Sequence, residues 1–155
     1  MNDDRLQVSL KHVVPTPGGS GIFLQADGKT MSIFVDAMAT RALSLAIEGE
    51  EAPRPLTHDL LLSVLGGLGV QLKEVFIHDF QEETYFARLL LEQENELGKN
   101  ILEIDARPSD GMILAVQLHA PITVATSVWE ATEDMTWALD QIKSSEEFDP
   151  PSNEE

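Results

Sequence analysis

The chain has 155 residues, 43% of them hydrophobic, which is enough to bury one core, so we expect a single globular unit. It contains no cysteine, which excludes disulfide frameworks, thiolate metal sites and cysteine nucleophiles and favours a reducing cytoplasm. The formal net charge of −17 is a poor electrostatic match for a polyanion such as nucleic acid.

The amino-terminal part predicts a strand followed by a hairpin. Residues 1–5 lack the basic and apolar regions of a signal peptide, and no apolar run in the sequence approaches the roughly 18 residues of a membrane span. Residues 6–14 begin with alternating apolar and polar side chains, which indicates a strand with one face on the core. The apolar runs 22–24 and 31–35 flank Asp27-Gly28, a typical hairpin turn.

Two helices are expected next. Residues 36–47 consist of good helix formers and are followed by Gly49 as a terminator. Four apolar residues of this helix share one side and should face the core: Met38, Ala42, Leu45 and Ala46. A second helix is predicted over 57–65, ended by the glycines of 66–69.

The central part of the chain predicts a second hairpin. Its strands cover 70–80 and 84–91, with a bulge near Glu74 where the alternation slips. We expect a polar loop over 92–99 and then a strand over 101–105.

The remaining segments complete an α+β pattern. The helix predicted over 109–119 is apolar almost all round and should be buried. A short strand over 122–125 and a helix over 132–143, capped by Thr132, follow. Hairpins mixed with helices predict one compact α+β domain, with a mixed, largely antiparallel sheet and packed helices.

We divide the chain into a domain over 1–130, a carboxyl-terminal helix over 131–143 and an acidic disordered tail over 144–155. The tail contains five acids, two prolines and one aromatic residue, a composition that buries too little apolar surface to order itself.

An Arg-Pro pair followed by a hydroxyl residue and an aspartate occurs twice. The first copy is Arg54-Pro55-Leu56-Thr57-His58-Asp59 and the second is Arg107-Pro108-Ser109-Asp110, each just before an apolar run. Proline discourages helix in the residue before it, a hydroxyl caps exposed N–H groups, and an acid suits the positive end of the helix dipole. Each copy therefore predicts a helix start beside an arginine, and together they form a pocket if the fold brings the two starts into contact.

Anion recognition is one interpretation of these segments. Arg54 and Arg107 have the guanidinium geometry that binds phosphate, and Thr57 and Ser109 stand at helix starts that add N–H donors. The alternatives are plain helix capping by the two hydroxyl residues and ordinary ion pairs of the arginines with carboxylates such as Asp105.

His58 is the candidate general acid or base, because the positive end of a helix favours a neutral imidazole. A histidine that makes a local hydrogen bond is the alternative. Three carboxylates, Asp59, Asp105 and Asp110, are candidate ligands for Mg²⁺ or Mn²⁺, which prefer oxygen donors and assist phosphodiester cleavage. Asp59 and Asp110 are also catalytic candidates. The sequence has no zinc-protease, nucleophile-elbow or dinucleotide-loop motif.

The segments Pro-Arg-Pro-Leu-Thr-His-Asp-Leu-Leu at 53–61 and Ile-Asp-Ala-Arg-Pro-Ser-Asp at 104–110 resemble the bifunctional nuclease domain family. The resemblance extends from the strand at Leu6 to Ile122 and leaves the acidic tail outside. It implies a compact, often dimeric α+β domain with nuclease activity on RNA and DNA. Gly111 departs from the family pattern, which usually has alanine there, and lowers helix propensity by about 1 kcal/mol.

The leading hypothesis is a cytoplasmic, homodimeric nuclease that hydrolyses RNA or DNA with the help of a divalent metal. In this hypothesis the arginines hold phosphate and His58 transfers protons. The alternative is a non-catalytic dimeric binding or scaffolding module that recognises a small anionic or phosphorylated ligand in the same pocket; the acidity of the chain favours it.

Overall fold

The computed structural model describes residues 4–146, and its centre is a seven-stranded sheet in the order β3-β2-β1-β7-β4-β5-β6. Strand β4 runs parallel to β7, and the other neighbouring pairs are antiparallel. The strands are β1 (Arg5–Thr16), β2 (Gly19–Ala26), β3 (Lys29–Asp36), β4 (Val70–Gln81), β5 (Thr84–Asn95), β6 (Gly98–Ala106) and β7 (Ile122–Ala125).

The described residues also form five helices, so the predicted α+β fold is confirmed. Helices α1, α2 and α3 pack together and against the sheet, with α3 lying on β4 and β5. The helices are α1 (Ala37–Glu48), α2 (Thr57–Gly67), α3 (Pro108–Leu118), α4 (Thr126–Ala131) and α5 (Thr136–Glu146). None of them has the length and apolar character needed to cross a membrane.

The predicted first hairpin is confirmed. Ala26 of β2 pairs with Lys29 of β3, and Asp27 and Gly28 between them both have positive φ, at 47° and 74°. A two-residue turn of this kind matches the twist of the flanking strands, which is why Asp-Gly is favoured there. The hairpin buries Ile22, Leu24 and other apolar side chains against the helices.

The second hairpin extends further than predicted. The expected bulge is present, because the β4–β5 register shifts between Leu72 and Glu74. The polar loop predicted over 92–99 is wrong: β5 continues to Asn95, β6 begins at Gly98, and two residues make the turn. Strand β6 lies at the sheet edge and is exposed on both faces, so its beginning has no apolar pattern for the sequence to reveal.

Helix α1 buries a different face from the one predicted, and only Ala42 is common to both. Its buried residues are Ala39, Ala42 and Leu43, whereas Met38 is 85% exposed. Asp36 caps the helix by accepting a hydrogen bond from the Ala39 N–H at 2.8 Å, and Gly49 ends it in the left-handed conformation, as predicted.

The carboxyl-terminal helix prediction is wrong in its start. Thr132 ends α4 instead of capping a helix, and α5 begins at Thr136, whose N–H donates to Asp134 Oδ1 at 3.0 Å. Val128 and Trp129 of α4, which the sequence interpretation did not place in a helix, are buried. Most of the acidic segment 144–155 lies outside the described residues.

Gly111 allows α3 to lie close to β4. A Cβ at this position would be 2.5 Å from Val75 Cγ1, and Val75 is fully buried. A β-branched side chain in a closely packed core has little freedom to move away. Helix α3 therefore contacts the sheet more closely than alanine at 111 would permit.

We expect Gly111→Ala to lower the free energy of unfolding by about 1–2 kcal/mol, because overpacking against Val75 exceeds the gain in helix propensity of about 1 kcal/mol. In a Val75→Ala background the same change should become stabilising. Urea unfolding of the four proteins of this double-mutant cycle measures both effects. A stabilising Gly111→Ala in the unaltered chain would contradict the close contact.

Candidate functional site

Three helix starts surround an open cavity of about 530 Å³. The start of α1 contributes Asp36 and Arg41, the start of α2 contributes Thr57 and His58, and the start of α3 contributes Arg107 and Asp110. Apolar side chains form the rest of the wall: Met38, Ala39, Ala42, Leu56, Leu61, Leu89 and Leu114. The two Arg-Pro segments are therefore neighbours in the fold.

A continuous series of polar contacts links the three helix starts. His58 Nε2 lies 2.8 Å from Asp110 Oδ1, which joins α2 to α3. Arg107 Nε donates to Asp110 Oδ2 at 3.1 Å, and its Nη2 donates to Oδ1 at 3.4 Å. Arg107 Nη1 lies 3.5 Å from Asp36 Oδ2 at the start of α1. Asp110 is thus shared between a histidine and an arginine.

The environment of Asp110 stabilises its charged form. Burial by itself raises the pKa of this carboxyl, but the hydrogen bonds from Arg107 and His58 outweigh burial and hold the pKa below its usual value. The same hydrogen bond to Asp110 raises the pKa of Arg107. At neutral pH Asp110 is therefore a carboxylate, held between the side chains of His58 and Arg107.

The hydroxyl residues do not cap these helices, so the capping interpretation of Thr57 and Ser109 is wrong. Leu56 precedes α2, and its N–H donates to Asp59 Oδ2 at 2.8 Å. Arg107 precedes α3, with Pro108 as its first residue. Proline is favoured at this position because its missing N–H would have no partner there.

Four of the residues predicted for the site line the cavity, namely Thr57, His58, Arg107 and Asp110. Arg54 is exposed in the bend before α2 and is not part of the lining. Ser109 is half-buried and does not line the cavity either. The two arginines of the repeated motif therefore occupy different places.

Asp59 faces away from the cavity that Asp110 lines. Its Oδ1 accepts a hydrogen bond from Gln117 Nε2 at 2.7 Å, and its Oδ2 accepts from the Leu56 N–H. It borders a separate, acidic cavity with Glu48, Glu50 and Glu51. The contacts of Asp59 connect α2 to α3 and make it a structural residue in this arrangement.

Asp105 lies on the opposite face of the sheet from the cavity. It pairs with Arg88, while the adjacent pair, Leu89 and Ile104, lies on the face covered by the helices, where Leu89 lines the cavity. The three predicted metal ligands, Asp59, Asp105 and Asp110, are thus not brought together. Within residues 4–146 no group of three His, Cys, Asp or Glu side chains is placed to hold a metal ion.

Sequence reasoning missed the contribution of α1. Asp36 and Arg41 line the cavity although neither belongs to an Arg-Pro segment. A signal was available for Asp36, since an aspartate between a strand and an apolar helix is a common N-cap. Arg41 carries no such signal, because an arginine within a helix is ordinary in any surface position.

Comparisons with known proteins agree with the motif. A family model described as the bifunctional nuclease domain matches residues 22–135. Two Mycobacterium tuberculosis proteins, uncharacterized protein MT1877 and uncharacterized protein Rv1829, are each 33% identical over 136 residues, which cover 80% of this chain and 79% of theirs. Bifunctional nuclease 2 of Oryza sativa subsp. japonica is 30% identical over 98 residues, 63% of this chain and 30% of the rice protein.

We expect Asp110→Asn to lower the free energy of unfolding at pH 7 by about 0.5–1 kcal/mol, the range of a partly exposed ion pair. Because the folded-state pKa of Asp110 is lowered, its contribution is present above the ordinary carboxyl range and is lost as the pH falls through the folded-state pKa. The difference between the original chain and the variant should therefore shrink below about pH 4. Urea unfolding at several pH values measures it.

Asp105→Asn is the matched control, because Asp105 lies outside this series of contacts. A difference for Asp110→Asn that stays constant down to pH 3 would contradict the ionic role of Asp110.

Proposed function

Because this chain belongs to the bifunctional nuclease domain family, we propose that it hydrolyses phosphodiester bonds of RNA or DNA in the cavity between the three helix starts. The observation that carries the proposal is the contact of His58 with Asp110, which Arg107 also holds. A histidine held by a carboxylate beside an arginine is suited to proton transfer next to a phosphate group.

The pairing of His58 with Asp110 determines which ring nitrogen is available. When Nε2–H donates to Asp110 Oδ1, Nδ1 carries the lone pair and accepts a proton. The imidazolium that forms is stabilised by the neighbouring carboxylate. In the proposed reaction His58 accepts the proton of an attacking water molecule, which becomes bonded to phosphorus as the ester oxygen leaves. The same histidine then returns the proton to that oxygen.

Arg107 and Arg41 are the proposed phosphate-binding residues. Both line the cavity, and Arg107 is 65% exposed, so its guanidinium is accessible to a ligand. By helix geometry the first N–H groups of α2 have no acceptor within the helix, and Thr57 and His58 of this turn line the cavity. Guanidinium and helix N–H donors together suit the negative charge that develops on phosphate oxygens.

The residues predicted to hold a divalent metal do not fit that role as a set. Asp59 uses both carboxylate oxygens in protein hydrogen bonds, and Asp105 is across the sheet. No step of the proposed reaction is routed through a metal. Metal dependence stays a prediction of its own, to be checked by assaying the protein in chelator and after addition of Mg²⁺ or Mn²⁺.

We expect purified protein to cleave single-stranded RNA or DNA and His58→Ala to lower the rate about 10²–10⁴-fold, the range for loss of a general acid or base. Arg107→Ala should lower the rate by about 10²-fold, as for loss of one charge-stabilising donor. Gel assays of labelled oligonucleotides, with circular dichroism to check the fold, measure these effects.

The controls change the same residue types outside the cavity. Arg54→Ala is the control for Arg107→Ala. His78→Ala is the control for His58→Ala, because His78 lies in β4 and does not line the cavity. Both controls should retain activity. If all four variants cleave at the same rate, the observed activity comes from a contaminant and the proposed site is wrong.

A non-catalytic module that binds a small anionic ligand is the second candidate. The net charge of −17 disfavours a long polyanion, and the apolar walls of the cavity suit one small phosphorylated molecule. This function needs Arg107 but does not need proton transfer by His58.

We expect inorganic phosphate or a mononucleotide at saturating concentration to raise the melting temperature, because binding to the folded state stabilises it. Arg107→Ala should abolish the increase, and Arg54→Ala should not. Thermal unfolding with and without ligand measures it. Binding without cleavage would establish the second candidate over the first, and no shift with either ligand would count against a phosphate site.

A further inference from the structure

The cavity between the three helix starts has a polar end and an apolar end. In α2 the first turn carries His58, and Leu61 lines the cavity about one turn, or about 5 Å, further along the helix. In α3 Asp110 and Leu114 repeat this order. A ligand whose anionic group contacts the helix starts therefore places its next group against leucine side chains.

The apolar end is accessible to a ligand. Leu89 and Leu114 are buried beneath the cavity, whereas Leu61 and Met38 line it with 38% and 85% of their surface exposed. Exposed apolar side chains of this kind gain free energy when a ligand covers them. A nucleobase has apolar faces, and its distance from the phosphate of the same nucleotide is comparable with one helical turn.

The cavity offers few cations to a nucleic acid strand. Of the ten lysine and arginine residues of the chain, only Arg41 and Arg107 line it. A surface that follows a long single strand needs a series of basic side chains along its path. Five of the other cations contact acceptors elsewhere: Arg5 contacts Glu74, Lys29 the Trp129 carbonyl, Lys73 and Lys99 Glu92, and Arg88 Glu103.

The surface next to His58 repels further phosphate groups. A narrow cavity beside this histidine is bordered by Glu50 and Asp59. It shares part of its lining with the larger acidic cavity, which adds two more carboxylates: Glu48 and Glu51. The loop between α1 and α2 has one basic residue, Arg54, which lines none of these three cavities. A strand that continues past His58 on this side meets four acids, so each added phosphate is disfavoured.

We propose that the substrate is a short oligonucleotide and that the cavity takes one of its nucleotides, with the phosphate at Arg107 and Arg41 and the base against Met38 and Leu61. This inference rests on the proposed hydrolysis of phosphodiester bonds and specifies its substrate class. Met38 and Leu61 bind the base and take no part in proton transfer. The unbranched methionine side chain adapts its shape, so it can pack on different bases.

Titration calorimetry tests the base contact, whether or not the protein cleaves a substrate. The dissociation constant of adenosine 5′-monophosphate should be about tenfold lower than that of ribose 5-phosphate, which lacks the base. Leu61→Ala and Met38→Ala should each remove most of this difference. Equal dissociation constants for the two compounds, or no binding of either, would overturn the proposal.

The controls for these variants are exposed apolar residues of the same helices. Leu60→Ala is the control for Leu61→Ala, and Ile47→Ala is the control for Met38→Ala, because neither Leu60 nor Ile47 lines this cavity. Both controls should keep the preference for the nucleotide. Loss of the preference in the controls as well would show that the base does not lie against Met38 and Leu61.

Cleavage assays test the length of the substrate. At about 50 mM salt, kcat/KM per phosphodiester bond should be about tenfold or more higher for a dinucleotide than for a strand of about 20 nucleotides. At about 0.5 M salt this ratio should approach one, because screening weakens the repulsion between the strand and the acidic surface. A long strand that is cleaved faster, and more slowly as salt is added, would overturn the short substrate and leave phosphodiester hydrolysis in place.

The acids beside His58 are tested by Glu50→Gln, which should raise kcat/KM for the long strand about two- to threefold and leave the dinucleotide unchanged. Glu130→Gln is the matched control, because Glu130 is exposed on α4 and lines none of the three cavities. An equal rise in both variants would contradict a local effect of Glu50. If neither substrate is cleaved, the proposed hydrolysis fails, and calorimetry decides separately whether the cavity binds a nucleotide.

Discussion

The carboxylate of Asp110 is the interaction on which the candidate site depends. It stands in the first turn of α3, accepts hydrogen bonds from Arg107, and contacts His58 at the start of α2. Arg107 in turn reaches Asp36 at the start of α1. Asp110 thus links the starts of α2 and α3 directly and that of α1 through Arg107, while apolar packing of α1 and α3 holds the helices themselves together. The orientation of His58 in the cavity depends on this carboxylate.

The two Arg-Pro segments look equivalent in the sequence but are not equivalent in the fold. Arg107 is the residue immediately before α3, so its side chain lies next to the acid three residues later. Arg54 lies in a bend two residues before the N-cap of α2 and is exposed. The two aspartates differ as well, since Asp59 is used in hydrogen bonds to Leu56 and Gln117. Each segment contributes one part of the site: a histidine from the first, an arginine and a carboxylate from the second.

The sequence predicted those helices and strands that bury apolar side chains, because burial leaves a regular apolar pattern in the sequence. The first hairpin, the bulge near Glu74 and the buried helix α3 are of this kind. The beginning of β6 could not be predicted, because an edge strand exposed on both faces has no alternation. Met38 was also misjudged. Its helical spacing suggested a core residue, but it lines the open cavity and is 85% exposed.

The same distinction applies to the site. Local chemistry identified His58, Arg107 and Asp110, because a helix start with an arginine and an acid is visible in a few residues. Tertiary packing decides which face of α2 lines the cavity: His58 faces Asp110 of α3 there, whereas Asp59 borders the separate acidic cavity. Asp105 was grouped with Asp59 and Asp110 as a metal ligand, but one residue along a strand changes the face of the sheet, and Asp105 lies on the face opposite Ile104, away from the cavity.

An acidic chain can still bind phosphate in this cavity, because the two aspartates at the cavity are engaged in contacts within the protein. Asp36 and Asp110 both contact Arg107, and Asp36 also caps α1. A phosphate that enters must compete for this guanidinium, and the 3.5 Å contact with Asp36 is longer than the 3.1 Å hydrogen bond to Asp110. Since Asp36 keeps its position through the cap, releasing Arg107 from it requires no movement of the helix. The weaker contact is thus the one that an anion would replace, and Asp110 would continue to hold both Arg107 and His58 in place.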